Sequence, residues 1–241
     1  MQLNKFLGFV LALTLMLILQ SGCSYGFGGI KGNGNVVKQD REISSFSALE
    51  VGGAFRVFLK QGDREAITVE ADENLLDVIS TEVRGRTLEI KTTEDIHDSE
   101  VLNIYLTFTS LEKMDISGAC KLTGEEKMRF GDLEIECSGA SDVELKMAAG
   151  NLDLDFSGAS QIELYGSAEL INLDLSGASS LDAFELEARK YDADVSGASH
   201  AKIAVSDELA ADVSGAASIK YKGDPTITDF DVSGAGSLKK Y

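Results

Sequence analysis

The chain has 241 residues and a formal net charge of −18 at pH 7. This strong negative charge disfavours nucleic acid and anionic lipid surfaces as partners. One Pro, no Trp and 24 Gly spread along the whole length allow one elongated domain or two compact ones.

The N-terminal segment predicts export from the cytoplasm. Lys5 precedes an apolar run of 14 residues, Phe6 to Leu19, which is typical of a secretory signal peptide. A helix that spans a bilayer needs roughly 20 apolar residues, so a retained transmembrane anchor is the weaker alternative. We therefore assign residues 1–22 to a signal peptide that is removed.

The end of this segment, Ser21-Gly22-Cys23, resembles the lipobox of bacterial lipoproteins. Gln20 departs from that pattern, because an aliphatic residue is usual three positions before the cysteine. The resemblance implies a lipid anchor on Cys23 and, because Ser24 follows instead of Asp, the outer membrane, with either leaflet possible. Residues 23–35 then predict a flexible tether between the lipid and the fold.

A short phrase recurs in the second half of the chain, and its near-constant period is typical of a solenoid. Its serines are separated by 21, 19, 19, 20, 18 and 19 residues. The seven copies are Asp115-Ile-Ser-Gly-Ala, Glu136-Cys-Ser-Gly-Ala, Asp155-Phe-Ser-Gly-Ala, Asp174-Leu-Ser-Gly-Ala, Asp194-Val-Ser-Gly-Ala, Asp212-Val-Ser-Gly-Ala and Asp231-Val-Ser-Gly-Ala.

Apolar and polar residues alternate on both sides of the phrase, which predicts short strands joined at a glycine corner. No repeat has room for a strand and a helix. The sequence therefore predicts an all-β fold, a right-handed single-stranded parallel β-helix with coils of about 19 residues. Residues 36–241 form this domain. Within it, 36–110 are irregular first coils with a capping role, and 111–241 are the repeat coils.

Equivalent positions of such coils stack about 4.8 Å apart. The residue before each serine should form an inward column, and the serine hydroxyls should bond along their own column or to the corner backbone. Cys120 and Cys137 are four residues apart in the repeat register, or roughly 13 Å along a strand. A disulfide tolerates about 7 Å between Cα atoms, so we expect two free thiols.

The acidic residue of each phrase should form an outward column, with Glu134, Asp153, Asp192 and Asp229 forming a second one. The simplest interpretation is a solvated face. The alternative is Ca²⁺ binding, although the Gly-Gly-x-Gly-x-Asp calcium loop of toxin-type β-helices is absent.

After the phrase, the residues at outward positions change from acidic to basic along the chain. The acidic set is Asp142, Glu144, Glu163 and Asp182, and the basic set is His200, Lys202, Lys220 and Lys239.

Three features together resemble the bacterial head GIN domain family, described as a putative auto-transporter adhesin domain. They are the Phe46-Ser-Ala-Leu-Glu-Val-Gly-Gly-Ala-Phe-Arg-Val segment, Val69-Glu-Ala-Asp-Glu-Asn-Leu-Leu, and the serial Ser-Gly-Ala-Ser copies. The resemblance covers nearly all of the chain after the signal peptide. It implies a right-handed parallel β-helix and no catalytic residue.

Catalysis has little support in the sequence. The two histidines are His97, in a polar loop, and His200, at an exposed strand position, and neither lies in a Gly-x-Ser-x-Gly or His-Glu-x-x-His motif. We expect no catalytic, cofactor or metal residue and no cofactor.

The leading hypothesis is a non-catalytic binding or adhesion module at the cell envelope, with a glycan or protein ligand. A structural or stress-related envelope component and a polysaccharide-active enzyme remain alternatives. Exposed coil ends also allow self-association.

Overall fold

A computed structural model describes residues 28–124 and 126–241. The regular secondary structure of these residues is β strand apart from one short 3-10 helix, Glu73–Val78. The predicted signal peptide, 1–22, and the predicted lipid-attachment residue, Cys23, lie outside the described residues. No helix in the described part of the chain is both long and apolar enough to cross a membrane.

The strands fall into an N-terminal part and a repeat part. Those of the N-terminal part are β1 (Ile30–Lys31), β2 (Val36–Arg41), β3 (Ala48–Gly53), β4 (Arg56–Gln61), β5 (Ala66–Asp72), β6 (Ile79–Arg84), β7 (Thr87–Thr92), β8 (Ile96–Asp98) and β9 (Leu102–Phe108). Those of the repeat part are β10 (Lys113–Gly118), β11 (Lys121–Gly124), β12 (Met128–Arg129), β13 (Leu133–Cys137), β14 (Asp142–Phe156), β15 (Gln161–Leu175), β16 (Ser180–Val195), β17 (His200–Val213), β18 (Ser218–Lys222), β19 (Thr226–Val232) and β20 (Ser237–Lys240).

Each repeat forms one turn of a stack, and its strands pair in parallel with the same strands of the next turn. Asp155, for example, pairs with Asp174, and Asp174 with Asp194. The coils of about 19 residues build a β-solenoid of about seven turns. The predicted single-stranded parallel β-helix is therefore confirmed. We call the strand segments that lead into the Ser-Gly-Ala corners face A and the strand segments that follow these corners face B; the long strands β14 to β17 contribute to both faces.

The inside of the stack is a continuous apolar core, as the alternation predicts. The residues before the phrase serines line up in register, and all are buried except Val232, which is partly buried at the end of the stack. This column is Ile116, Cys137, Phe156, Leu175, Val195, Val213 and Val232. Each fully buried Leu, Val or Phe contributes about 1.5–3 kcal/mol.

The corner requires glycine for two reasons. Gly118 has a φ of 90°, a conformation that other L residues rarely adopt. In addition, a Cβ at Gly118 would lie 2.4 Å from the backbone oxygen of Gly53 in the neighbouring turn. That oxygen accepts the hydrogen bond of the Ala119 N–H at 2.7 Å. The glycine therefore allows successive corners to stack at strand spacing.

None of the phrase serines is buried. The Oγ atoms of Ser117 and Ser157 donate to the backbone carbonyls of Val51 and Cys137, each at 3.4 Å, which is one of the two predicted bonding patterns. The residue three positions later is the one that is buried. Four such serines are at most 1% exposed, namely Ser141, Ser160, Ser179 and Ser199.

The hydroxyls of these buried serines accept hydrogen bonds from backbone N–H groups in the neighbouring turn. The Ser141 N–H donates to Ser160 Oγ at 3.4 Å, the Ser160 N–H to Ser179 Oγ at 3.3 Å, and the Ser179 N–H to Ser199 Oγ at 3.4 Å. A buried N–H without a partner costs about 1–3 kcal/mol. The serine that follows Ser-Gly-Ala is therefore a structural element of the corner, a role that the sequence analysis did not assign to it.

The N-terminal part contains an eighth copy of the corner. Glu50-Val51-Gly52-Gly53-Ala54 occupies the register of Asp115-Ile-Ser-Gly-Ala, with Glu50 beside Asp115 and Gly53 beside Gly118. Gly52 stands where the other copies have serine, which is why a search for Ser-Gly-Ala does not find it. The turn formed by β3 and β4 is thus a true member of the stack.

The winding order of the N-terminal part differs from a simple coil. Strands β7 and β9 form the first turn, outside β3 and β4, although they follow them in the chain. The chain then passes over the β3–β4 turn, and β10 and β11 dock on its other side. Three antiparallel strands cover this end: β6 beside β7, β5 beside β9, and β2 beside β5.

The described part of the predicted tether, 28–35, is held on the fold, so this part of the flexible-linker prediction is wrong. Strand β1 pairs with β8. The fully buried carboxylate of Asp72 accepts the Gly34 N–H at 2.6 Å and the Glu100 N–H at 2.9 Å. These charge-assisted bonds fix both the incoming segment and the 93–101 segment, which contains β8.

Candidate binding surfaces

The predicted acidic column runs along the outer surface of face A and is longer than expected. Ten carboxylates lie in register across ten neighbouring strands, because the N-terminal turns contribute three more. In order they are Glu82, Glu89, Glu50, Asp115, Glu136, Asp155, Asp174, Asp194, Asp212 and Asp231. We call this set the acidic row.

Cations neutralise only the N-terminal half of the acidic row. Arg84 lies 3.0 Å from Glu82 and 3.4 Å from Glu89. Lys91 lies 2.8 Å from Glu89, and Lys113 lies 2.8 Å from Glu136. Among the described residues, no ion pair joins a Lys or Arg to the row beyond Glu136. The C-terminal half therefore presents uncompensated negative charge to solvent.

The charges of this half affect one another. Partial burial, together with the neighbouring Asp155 and Asp194, raises the pKa of Asp174 above its ordinary value. The second acidic column is interrupted by Asn172, whose side-chain amide donates to Asp153 at 2.6 Å. The two columns border a shallow groove of about 340 Å³. Across residues 28–124 and 126–241, no group of three or more His, Cys, Asp or Glu side chains is placed to hold a metal ion.

The outer row of face B changes sign along the solenoid, as predicted. Glu144, Glu163 and Asp182 are followed by Lys202, Lys220 and Lys239 in continuous register. Asp182 and Lys202 form an ion pair of 2.7 Å at the change of sign.

At the N-terminal end of the same row two aromatic side chains take the place of charges. Phe58 and Tyr105 stack with their ring centroids 5.0 Å apart, and the Lys38 ammonium lies 4.6 Å from the centre of the Tyr105 ring. The Tyr105 hydroxyl donates to Glu70 at 2.8 Å, and this bond raises the pKa of Tyr105. Thus one face carries aromatic, acidic and basic segments in succession.

A cleft of about 860 Å³ lies beside the 93–101 segment, and no sequence pattern predicted it. Gly53, Arg56 and Asn103 also line this cleft. The Asn103 amide nitrogen donates to Glu70 at 2.8 Å. The Oδ1 atom of Asn103 is buried without a hydrogen-bond partner in the described part of the chain.

The two histidines lie far apart in the stack. His97 lies in strand β8 and lines the cleft, so its assignment to a loop was wrong. His200 is exposed on β17, as predicted, with its Nδ1 2.9 Å from the Ser218 hydroxyl. A second groove, of about 640 Å³, is lined by Phe184, Arg189 and Lys222, among others. The Lys222 ammonium lies 4.4 Å from the centre of the Phe184 ring.

Cys120 and Cys137 are free and buried in the core. Cys120 lies in the buried-serine row, and its thiol is 3.5 Å from the Gly53 carbonyl oxygen. Burial raises the pKa of the Cys120 thiol. Burial, reinforced by Asp115, raises the pKa of Cys137 to about 12. Both thiols therefore stay protonated and unreactive as nucleophiles at neutral pH.

Several solved bacterial structures share this fold. A protein from Parabacteroides distasonis described as a putative lipid binding protein has a TM-score of 0.73 and 24% identity, with 88% of this chain and 99% of that chain covered. A putative adhesin from Bacteroides fragilis has a TM-score of 0.80 and 21% identity, with 88% of this chain and 100% of that chain covered. No curated protein matches the chain.

A family model matches residues 45–225, which include the eighth corner copy at Glu50–Ala54 and six of the seven Ser-Gly-Ala turns. By this match across most of its length, the chain belongs to the family described as "Putative auto-transporter adhesin, head GIN domain".

Proposed function

We propose that this protein is an outer-membrane lipoprotein that acts as a non-catalytic adhesion module, with the acidic row as its main contact surface. The observation that supports this most is the uncompensated half of the row, from Asp155 to Asp231, on a regular stack of strands. Such a surface favours a partner with positive charge, on a protein or on a glycan, because complementary charge steers association. Membership in an adhesin family supports a place at the cell envelope.

The proposed attachment is through Cys23. Several acyl chains on one residue hold a protein stably at a membrane, whereas a single chain does not. The fold starts close behind this anchor, since β1 begins at Ile30. The short spacing would keep the N-terminal cap near the membrane and leave the repeat coils to reach outward.

Protease shaving of intact cells tests the location. We expect the protein to be released from the surface while a periplasmic marker stays intact. A Cys23→Ala variant should lose its membrane association and appear in the soluble fraction. Full protection from the protease would overturn the adhesion proposal and favour a structural envelope component.

Substitutions on the two faces test the contact surface. The variant Asp155→Asn, Asp174→Asn, Asp194→Asn removes three charges from the acidic row. The control Asp142→Asn, Glu144→Gln, Glu163→Gln removes three charges from face B. Purified proteins are compared on arrays of glycans and of extracellular-matrix proteins. We expect the face A variant to lose binding and the control to keep it; equal binding by both would contradict the assignment of this face.

The enzyme alternative is tested separately. Acidic and neutral polysaccharides are incubated with the purified protein, and newly formed reducing ends are measured. We expect none above the background of a heat-denatured sample. Release of reducing ends that depends on the folded protein would favour the enzyme.

A further inference from the structure

The two ends of the solenoid differ. The antiparallel strands β2, β5 and β6 cover the N-terminal end. At the other end, β19 pairs with β17 and β20 pairs with β18, each on one side only within the described residues. Two strand edges therefore meet at the last corner, Ser233 to Gly236, with their backbone groups free to pair.

The core is also open at this end. Phe230 is 49% exposed, although it continues an inward column whose previous member, Ala211, is 5% exposed. Ile227, on the same strand, is 45% exposed. Val232 and Leu238 are only partly buried, and no further turn of the described residues covers them. Within residues 28–124 and 126–241, these core positions therefore have a neighbouring turn on one side only.

The two open edges carry opposite charges on their outer sides. Strand β19 presents Asp229 and Asp231, the last members of the two acidic columns. Strand β20 presents Lys239, the last member of the basic series on face B. A lysine on an edge strand is a common device that keeps the edge unpaired. Here, however, the acidic edge of β19 lies on the other side of the same corner, so each copy of the chain presents both an acidic and a basic strand edge.

We infer that a second copy of this chain covers this end, with β19 of each copy pairing antiparallel to β20 of the other. A two-fold axis through Ala235 reverses strand direction, so the pairing is antiparallel. It sets Asp231 opposite Lys239 on the outside and Val232 opposite Leu238 on the inside. Both contacts occur twice, because the interface of a two-fold dimer is the same patch on each copy.

Charge selects this arrangement over the other two-fold pairings. Pairing β19 with β19 would place acidic edge against acidic edge, and pairing β20 with β20 would place Lys239 against another lysine edge. Like charges directly opposite destabilise a strand pair, whereas opposite charges stabilise it. The crossed pairing also covers the exposed Phe230. The dimer would be a longer rod with a protected N-terminal cap at each end.

Sedimentation velocity over a micromolar to submillimolar range tests this inference. The sample is the chain from Ser24 onward, which contains all of the described residues. We expect a concentration-dependent dimer. Lys239→Glu or Asp231→Lys alone should weaken it at least about tenfold, since each puts two like-charged pairs into the interface. Combining Asp231→Lys with Lys239→Glu exchanges the charges and should restore it.

The control is Lys220→Glu, which makes the same change one turn inside the stack and should leave the dimer unchanged. Circular dichroism verifies that each variant is folded. Hydrogen exchange of the unmodified chain gives a second readout that needs no variant: amides of β19 and β20 should become more protected as concentration rises. A monomer throughout the range, equal effects of Lys239→Glu and Lys220→Glu, or no recovery in the charge-exchanged variant would each overturn the inference.

Discussion

Glu50 and Asp115 lie side by side in register on the parallel strands β3 and β10, although strands β4 to β9 separate them in the chain. The turn that contains Glu50 is therefore enclosed by two turns that come later in the sequence. Its corner and the first Ser-Gly-Ala corner stack directly on each other, with the Ala119 N–H donating to the Gly53 carbonyl at 2.7 Å. The irregular N-terminal part and the repeat part thus share one continuous ladder.

This contact predicts that Gly118→Ala strongly destabilises the protein. The new Cβ would be 2.4 Å from the Gly53 backbone oxygen, and φ would stay at a value unfavourable for alanine. The conformational cost is about 1–2 kcal/mol, and relief of the clash adds about 1–3 kcal/mol. Urea unfolding followed by circular dichroism measures the change in the free energy of unfolding.

Gly85→Ala is the matched control. Gly85 also has a positive φ, 65°, but nothing lies within 4 Å of a Cβ built there. We expect only the conformational cost of about 1–2 kcal/mol. Equal destabilisation by the two substitutions would show that the corners do not stack as closely as the structure has them.

The buried serine row makes a second prediction. Ser160→Ala removes the hydroxyl that accepts the Ser141 N–H at 3.4 Å and leaves that donor buried. The free energy of unfolding should fall by about 1–3 kcal/mol. Ser157→Ala, in the same corner but on the partly exposed serine, should change it by less than about 0.5 kcal/mol. The same urea titration measures both, and a larger effect at Ser157 would contradict the assigned roles.

The repeat coils follow from the sequence because three constraints coincide. The period sets one turn per phrase, the alternation sets which side chains face inward, and glycine sets the corner. The same alternation identifies strands in the N-terminal part, including β5, β7 and β9. The buried serines Ser141, Ser160 and Ser179 recur at the repeat spacing. Their burial does not follow from that spacing, because the alternation on either side of the corner does not extend through it.

The stacking order of the N-terminal turns is not encoded in a local pattern. Alternation gives a strand its buried side but does not say which strand lies beside it or in which direction it runs. The position of β3 between β7 and β10 depends on contacts between distant residues. The cleft has a similar cause, because the Asp72 carboxylate fixes the 93–101 segment by accepting the Glu100 N–H, a contact that no local sequence pattern predicts.

The two core cysteines predict that thiol reactivity reports on opening of the fold. Cys120 and Cys137 are each 2% exposed, and burial raises the pKa of both thiols, that of Cys137 to about 12. With Cys23→Ser, so that only these two cysteines remain, the native protein should not react with Ellman's reagent at pH 8. Guanidinium should release two equivalents. Rapid reaction of either thiol without denaturant would contradict its placement in the core.

The acidic row predicts that removing one charge from its uncompensated half stabilises the protein. The pKa of Asp174 is raised in the fold, mainly by burial and then by Asp155 and Asp194. The native state therefore binds a proton on this residue more readily than the unfolded chain does. Above that pKa, the ionised carboxylate lowers the free energy of unfolding. Asp174→Asn should raise the melting temperature at pH 7. The gain should shrink as pH falls through the pKa of Asp174, where the carboxyl of the unmodified protein is already neutral.

Asp207→Asn is the control, for which we expect the opposite change in melting temperature. Hydrogen bonds from Ser206 and from Arg189 lower the pKa of Asp207, so its ionised form stabilises the fold above the unfolded-state value. Its substitution should lower the melting temperature at pH 7, and the loss should vanish as pH falls through the lowered pKa. Differential scanning calorimetry of both variants between pH 3 and pH 7 measures the two trends. A lower melting temperature of Asp174→Asn at neutral pH would contradict this prediction. It would mean that the charge of Asp174 makes favourable contacts in the fold. The acidic row would then not be uncompensated, and the proposed binding face would lose its main support.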